Sequence, residues 1–273
     1  MKRVILSAVC LVIFCGCVPP KPPKPVPPLP PPITMEMDMQ RIAIPRSCGS
    51  ENNKQVRTYL TDELRKLGFS VAYQTFSQGI NIIATQRGKS PKTIIVGSHY
   101  DSMPSTPGAD DNASGCVVNL AVARALSKRK LIHTIEYIFF DAEEHGLVGS
   151  SYYASNMKES CIFMVNLDMV GHLRTTDGVP DRLFQKYPWA RSISHQEMGS
   201  PSDQTPFQRR GIPAVWVFTG GHSRYHQSSD TPATLNFNGM RSISNYVTDI
   251  VLSFDKQVDI KFIKSLPIRR YRP

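Results

Sequence analysis

Short apolar runs alternate with longer amphipathic segments along most of the chain. The runs are rich in β-branched and aromatic residues and predict strands at residues 69–76, 81–85, 94–96, 134–140, 161–167 and 212–218. Segments with apolar side chains every three or four positions predict helices at residues 50–68, 116–126, 147–157 and 238–255. A short helix is expected around residues 181–187, whereas residues 35–44 follow no clear pattern. This alternation predicts an α/β fold: a three-layer sandwich with a central mixed, largely parallel sheet and helices on both faces.

Residues 1–16 have the pattern of a signal peptide. Lys2 and Arg3 form a positive region, and the apolar run over residues 4–14 is too short to span a bilayer. Gly16 before Cys17 resembles the lipobox of bacterial lipoproteins, which implies a lipid on Cys17; ordinary secretion with cleavage nearby is the alternative. We therefore expect a lipoprotein of the bacterial cell envelope, anchored to a membrane. In a Gram-negative cell this would be the outer membrane, with the protein facing the periplasm.

Proline dominates the next segment, residues 17–34, which follows the predicted cleavage site. Its sequence VPPKPPKPVPPLPPP cannot pack a core and predicts a polyproline II stalk. Such a stalk reaches about 45 Å at about 3.1 Å per residue. We expect one folded domain over residues 35–260, followed by a basic tail over residues 261–273.

Net charge and cysteine content exclude only a few classes of function. The formal net charge is +10, but outside the tail the basic residues are scattered, with no basic helix and no interleaved aromatic residues. The sequence therefore gives no reason to expect a nucleic-acid partner. After Cys17 only Cys48, Cys116 and Cys161 remain, and this odd number allows one disulfide or none.

Side chains of the kind that bind metals follow four successive predicted strands. They are His99 and Asp111, then Glu144, then Asp168, then His226. The carboxyl ends of strands in an open α/β sheet are where ligands bind, so we expect these side chains to meet at one edge. Histidine and carboxylate without thiolate suit Zn²⁺, with Mn²⁺ or Co²⁺ as substitutes. Five ligands with an excess of carboxylates suit two ions, about 3.5–4 Å apart, that share one carboxylate.

Glu143 stands directly before Glu144 at one of these strand ends. Neighbouring side chains there point in different directions, so both are not expected to bind the same ion. One of the two glutamates is then free to act as a general base on water whose pKa a metal has lowered.

At this point the sequence resembles a known family. The motifs HYDS, GADDNASG, FFDAEEHGLVGS, NLDMVG and YHQSSDT, in this order, are similar to those of the M28 family of co-catalytic zinc peptidases, and above all to its bacterial aminopeptidases. The resemblance runs from about residue 50 to 255. It implies a zinc-dependent exopeptidase fold, peptide substrates, and removal of N-terminal residues by a centre with two zinc ions.

The same resemblance implies how the ligands divide between the ions. The second aspartate of GADD, Asp111, would bridge the two zinc ions. His99 and Asp168 would complete one site, and Glu144 and His226 the other.

It also implies roles for the neighbouring residues. Glu143 would be the general base, and Asp101 would orient His99. Tyr225 would donate a hydrogen bond to the tetrahedral intermediate. The peptide bond that joins Asp111 to Asn112 would be cis.

Two rival functions stay open. One is a glutaminyl-peptide cyclotransferase, because residues 45–57 and 206–211 resemble stretches of those enzymes. Those enzymes, however, typically carry a long insertion after the glutamate pair. Here residues 145–150 follow the pair directly, as they do in the peptidases. The other rival is a lipoprotein that binds peptides without catalysis, which loss of Glu143 or of a ligand would favour; neither is lost.

The remaining titratable residues are expected to be structural. We expect surface or structural positions for the five other histidines, His133, His145, His172, His195 and His222. Asp110 is expected in a turn or cap and Asp141 in local hydrogen bonds, while Asp230 either supports His226 or caps the next helix. Gln204 stands where the family usually has a histidine after Ser-Asp, which puts in doubt any hydrogen bond from that position.

Overall fold

The computed structural model describes residues 34–157, 160–173 and 201–256. The predicted signal peptide, lipidation site and stalk, the helix expected at residues 181–187, His195 and the basic tail lie outside these ranges.

A six-stranded mixed sheet forms the centre of the domain. Its strands are β1 (Ser70–Thr75), β2 (Ile80–Gln86), β3 (Ser90–His99), β4 (His133–Phe140), β5 (Cys161–Leu167) and β6 (Ala214–Val217), in the spatial order β1-β2-β4-β3-β5-β6. The pairs β1/β2 and β2/β4 are antiparallel, whereas β4/β3, β3/β5 and β5/β6 are parallel. The four strands β3 to β6 therefore end at the same edge.

Helices cover both faces of this sheet. They are α1 (Met35–Ile42), α2 (Glu51–Lys66), α3 (Gly115–Leu126), α4 (Val148–Asn156), α5 (Gln204–Arg209) and α6 (Phe237–Lys256). Residues of α1, α2, α3 and α6 share one apolar core, and residues of α4 and α5 share the other. The predicted three-layer α/β sandwich is thus confirmed.

Alternating side chains divide the central strands between the two cores. Ile94 and Val96 of β3 lie in the core under α3, and Ile95 between them lies in the opposite core. Phe139 and Phe140 of β4 divide in the same way. Because successive side chains of a strand point to opposite faces, a strand covered on both sides is apolar throughout. Each such side chain contributes about 1.5–3 kcal/mol by leaving water.

Helix α1 and strand β6 differ from the sequence prediction. Residues 35–44, which showed no clear pattern, contain α1: Thr34 accepts the backbone N–H of Met37 at its start, and Met39 and Ile42 are fully buried. A helix of 8 residues is too short to display a clear period. The strand predicted at 212–218 is confined to Ala214–Val217, because Pro213 has no N–H to donate to a ladder.

Among the helices that the structure describes, none is sufficiently long and apolar to cross a bilayer. Cys48, Cys116 and Cys161 are all free thiols, in agreement with the prediction of one disulfide or none.

Candidate metal centre

The loops after β3, β4, β5 and β6 bring the five predicted ligands together. His99 is the last residue of β3, and Asp111 lies in the irregular turn Ala109–Ser114 that leads into α3. Glu144 comes after β4 and Asp168 directly after β5; His226 lies in the loop after β6. The peptide bond Asp111–Asn112 is cis, as the family resemblance implied.

Asp111 lies between two histidines that come from different loops. Its Oδ1 is 3.2 Å from His99 Nε2, and its Oδ2 is 3.1 Å from His226 Nε2. Each carboxylate oxygen thus faces a different histidine. This is the arrangement required of a carboxylate that bridges two ions.

The remaining ligands complete two groups, each with ligand atoms within 4.8 Å of one another. His99, Glu143 and Asp168 form one group; Asp111, Glu144 and His226 form the other. In the first group His99 Nε2 is 3.4 Å from Asp168 Oδ1 and 4.0 Å from Glu143 Oε2. In the second, His226 Nε2 is 3.1 Å from Glu144 Oε2.

Several of these ligand atoms are buried without a hydrogen-bond partner. Both ring nitrogens of His99, Oδ1 of Asp168 and Nε2 of His226 are in this state. Leaving a buried polar atom unpaired costs free energy, so such atoms normally have a partner. Imidazole nitrogens and carboxylate oxygens converging on one space are the donor set of Zn²⁺. The residues present therefore fit a metal centre.

The pKa values of the carboxyl groups diverge within this centre. Burial raises the pKa of Glu143 well above its usual value, and the carboxylates of Asp203, Asp168 and Asp111 raise it further. Burial likewise raises the pKa of Glu144 to about 8. Although burial also opposes ionisation of Asp111, the adjacent imidazole rings of His226 and His99 hold its pKa below the usual range. Asp111 is therefore the most firmly ionised of the three.

Asp101 is buried behind the ligands and orders the glutamate pair. Its Oδ1 accepts the backbone N–H of Glu143 at 3.1 Å, and its Oδ2 accepts that of Glu144 at 3.3 Å. The same carboxylate lies 3.4 Å from His99 Nδ1. Asp101 thus orders the backbone of Glu143 and Glu144 in addition to facing His99, the role expected from the resemblance.

Tyr225 stands at the mouth of the centre and is 43% exposed. Its ring stacks on that of His226, with centroids 3.7 Å apart. This position leaves the phenol next to the ligands and open to a substrate.

Ser202 contacts the candidate centre, although sequence analysis did not single it out. Its hydroxyl donates to Asp168 Oδ2 at 2.6 Å and accepts from Asn166 Nδ2 at 2.8 Å. Gln204, which replaces the usual histidine, accepts from the same Asn166 amide at 3.2 Å. Ser202 fixes one oxygen of Asp168 and leaves Oδ1 free for an ion. The only sequence signal for Ser202 was its place before Asp203 in the Ser-Asp pair that precedes Gln204.

Asp230 has neither of the two roles expected for it. It accepts the backbone N–H groups of Asp110 and Asp111, 2.9 and 3.1 Å away. The turn after Asp230 begins at Thr231 with no side-chain cap. Both expectations were wrong because they considered only residues close in sequence, whereas Asp230 supports the turn that carries Asp111.

Asp110 also makes contacts with residues far away in the sequence, in addition to the local turn or cap expected for it. Its Oδ1 accepts the backbone N–H of Gly171 at 2.7 Å, and its Oδ2 lies 3.0 Å from His222 Nε2. The His172 ring packs against that of His222. By contrast, His145 is exposed, and the backbone N–H of His133 is bonded to Asp255 at 2.7 Å, in agreement with the expectation of surface or structural positions.

Asp141 makes the local hydrogen bonds expected of it and longer-range ones as well. It accepts the backbone N–H of Ala142, and also the Tyr100 hydroxyl and the Asn53 amide. Arg46 is buried nearby and donates to the carbonyl groups of Tyr100, Pro107 and Gly108.

Three non-glycine residues with positive φ lie at or next to residues of the candidate centre. Ala142, before Glu143, has φ 57°; Met169, after Asp168, has φ 54°; and His226 has φ 57°. A non-glycine residue in this region costs about 1–3 kcal/mol and persists where its surroundings enforce it. Backbone strain at His226 and directly beside Glu143 and Asp168 is typical of a functional site.

Comparison with known proteins agrees with this geometry. The sequence model described as peptidase family M28 matches residues 81–251. Leupeptin-inactivating enzyme 1 of Streptomyces exfoliatus is 31% identical over 195 residues, which cover 64% of this chain and 44% of that protein. Aminopeptidase YwaD of Bacillus subtilis is 28% identical over 249 residues, covering 81% of this chain and 53% of that protein. The chain thus spans about half the length of these relatives.

Solved structures share the fold. A zinc aminopeptidase from Bacillus subtilis superposes with a TM-score of 0.73 at 18% identity, covering 82% of this chain and 95% of that one. Glutaminyl cyclase of Porphyromonas gingivalis gives 0.67 at 22% identity, covering 81% and 97%. At these identities the likeness shows the fold, whereas the sequence match over residues 81–251 shows the family. The chain belongs to peptidase family M28.

Proposed function

We propose that this chain is a zinc metallopeptidase that removes N-terminal residues from peptides through a centre of two zinc ions. The observation that carries the proposal is Asp111, whose two oxygens face His99 and His226 at 3.2 and 3.1 Å. Family membership and the aminopeptidase names of its relatives support the same activity.

The ligands would divide as the geometry suggests. His99 and Asp168 would hold one ion, Glu144 and His226 the other, and Asp111 both. Bound zinc polarises a carbonyl group and lowers the pKa of water. Mn²⁺ or Co²⁺ would suit the same donors.

Glu143 would be the general base of the reaction. Its carboxylate lies in the group of His99 and Asp168, but the five other side chains already supply the ligands proposed for both ions. Burial raises the pKa of its carboxyl group. A base with a raised pKa both accepts and returns a proton readily near neutral pH. Glu143 would take a proton from the attacking water as the C–O bond forms. It would then deliver that proton to the amine nitrogen as the C–N bond breaks.

Tyr225 and Asp101 would assist without moving the proton. The half-exposed phenol of Tyr225 would donate a hydrogen bond to the oxyanion of the tetrahedral intermediate. Asp101 would keep the backbone of Glu143 in place through its bond of 3.1 Å.

The first test uses the zinc-loaded full chain and three peptides read by mass spectrometry. One peptide has a free N-terminus, one an acetylated N-terminus, and one an N-terminal glutamine. Stepwise shortening of the free peptide, with the acetylated one intact, is the expected result. Loss of ammonia from the glutamine peptide without shortening would establish a cyclotransferase instead, and binding without any product would establish a peptide-binding protein.

A variant pair then tests the base. Glu143→Gln should lower kcat about 10²–10⁴-fold while the bound metal is unchanged. Glu51→Gln, on a side chain that is 70% exposed in α2, should leave kcat unaltered. Undiminished hydrolysis by Glu143→Gln would remove Glu143 from the mechanism.

We also propose that the protein is a lipoprotein of the bacterial envelope, with the lipid on Cys17 and the enzyme domain held off the membrane by the proline-rich stalk. The signal-like pattern of residues 1–16 and the Gly16-Cys17 pair support this. Cys17→Ser should abolish incorporation of labelled fatty acid and release the protein from the membrane fraction. Incorporation that persists in Cys17→Ser would contradict the proposal.

A further inference from the structure

Asp110, His172 and His222 form a second set of metal-type side chains, here called the outer triad. Their ligand atoms all lie within 4.8 Å of one another. Asp110 is fully buried, the His222 side chain is 7% exposed, and the two imidazole rings are 4.2 Å apart. None of the three residues is a ligand of the two-ion centre.

A purely structural role accounts for only part of this arrangement. Asp110 uses Oδ1 for the backbone N–H of Gly171 and turns Oδ2 towards His222. Nε2 of His172, however, is buried and has no hydrogen-bond partner in the described part of the chain. Burial lowers the pKa of His172, so its ring is held neutral with a lone pair available. An unpaired buried nitrogen next to a second imidazole and a carboxylate requires an explanation.

We propose that the outer triad binds a further divalent transition-metal ion of the Zn²⁺ class, separate from the two-ion centre. Two imidazoles and one carboxylate are a common three-residue zinc set, and water completes the tetrahedral shell. Bonds of about 2.0–2.2 Å would require the donors to approach to roughly 3–3.5 Å. His222 Nε2 and Asp110 Oδ2, 3.0 Å apart, are already that close.

Occupancy of this site has a consequence for the neighbouring loop. His222 Nδ1 accepts the backbone N–H of Arg224 at 3.1 Å, so the ring proton is on Nε2 and points to Asp110. A metal ion at Nε2 replaces that proton, which moves to Nδ1, and the bond from Arg224 is then lost. Arg224 directly precedes Tyr225 and His226. The ion would therefore change the backbone of the loop that carries two residues of the main centre.

The test is a comparison of bound metal. The full chain and its His172→Gln and His222→Gln variants are equilibrated at the same free Zn²⁺ concentration, and zinc per chain is measured by mass spectrometry of the element. Each variant should hold one ion fewer than the wild type. Gln at position 222 still offers an N–H to Asp110, so a merely structural hydrogen bond would leave the count unchanged. His133→Gln, at the start of β4, is the matched control and should bind as much zinc as the wild type.

Equal zinc in the wild type and both variants would overturn the proposal. Because the result is a difference of one ion, it does not depend on peptidase activity or on whether the main centre holds one ion or two. A second measurement needs no variant: in wild type labelled with ¹⁵N-histidine, added Zn²⁺ should move the His222 ring proton from Nε2 to Nδ1. A His222 ring that keeps its Nε2 proton when zinc saturates the protein would equally overturn it.

Discussion

Asp230 Oδ2 accepts the backbone N–H of Asp111 at 3.1 Å, although the two residues are 119 positions apart in the sequence. Asp230 also accepts the N–H of Asp110, at 2.9 Å. The turn that aims Asp111 at His99 and His226 is therefore fixed by the segment that comes after His226 in the chain. Loss of this support is therefore expected to weaken metal binding more than it lowers the stability of the fold.

Asp230→Asn is expected to lower metal affinity about 10–100-fold, because an amide offers one acceptor where the carboxylate offers two. The affinity is measured by competition with a coloured chelator, and peptidase activity should fall in parallel at limiting zinc. Asp62→Asn, exposed on α2, is the control. Wild-type affinity in Asp230→Asn would mean that the turn holds its shape without this carboxylate.

Ser202→Ala removes the hydroxyl that donates to Asp168 Oδ2 at 2.6 Å. Asp168 then loses the partner that orients it, and zinc affinity should fall about 10-fold. Isothermal titration calorimetry measures this change, with Ser155→Ala on the exposed side of α4 as the control. An unchanged titration would show that Asp168 is oriented by its backbone alone.

Arg46→Met should lower the stability of the fold, because Arg46 supports the structure and takes no part in the proposed reaction. The fully buried guanidinium donates to the carbonyl oxygens of Tyr100, Pro107 and Gly108, and methionine leaves all three without this partner. We expect a loss of about 3–5 kcal/mol in the free energy of unfolding by urea. Arg65→Met, on an exposed position of α2, should change it by less than about 0.5 kcal/mol. Similar stability of the two variants would contradict the role assigned to Arg46.

Glu63 provides a prediction for stability against pH. Although burial opposes its ionisation, hydrogen bonds from Lys66 and Arg124 hold the pKa of Glu63 below 4.5 in the folded protein. The unfolded chain therefore binds a proton first, so the stabilisation is present above about pH 4.5 and is lost as pH falls through the folded pKa.

Glu63→Gln should consequently be less stable than the wild type at neutral pH, and the difference should shrink on acidification. Urea unfolding at a series of pH values measures it, with the exposed Glu51→Gln as the control. A gap between wild type and Glu63→Gln that stays constant from neutral to acid pH would contradict this account.

The sequence predicted well which metal-type side chains would meet, because each comes after a strand whose apolar run is easily read. Strand ends place residues at one edge whatever the details of packing, so His99, Asp111, Glu144, Asp168 and His226 needed no knowledge of distant contacts. Helix α1 was missed because its 8 residues show no clear period. Ser202 was missed and Asp230 misread because their partners lie 34 and 120 positions away along the chain. Local periodicity carries no information about which distant loops meet.

The crowding of acidic side chains at this edge has a thermodynamic consequence. Six carboxyl groups converge there within a largely buried space: Asp101, Asp111, Glu143, Glu144, Asp168 and Asp203. Without cations they repel one another, and folding has to overcome that repulsion. A ligand that binds only the native state at 100 times its Kd stabilises it by about 2.7 kcal/mol. The melting temperature of this protein should therefore rise with the concentration of free zinc. Without zinc the chain should unfold more readily, and proteases that cleave unfolded chains should degrade it faster.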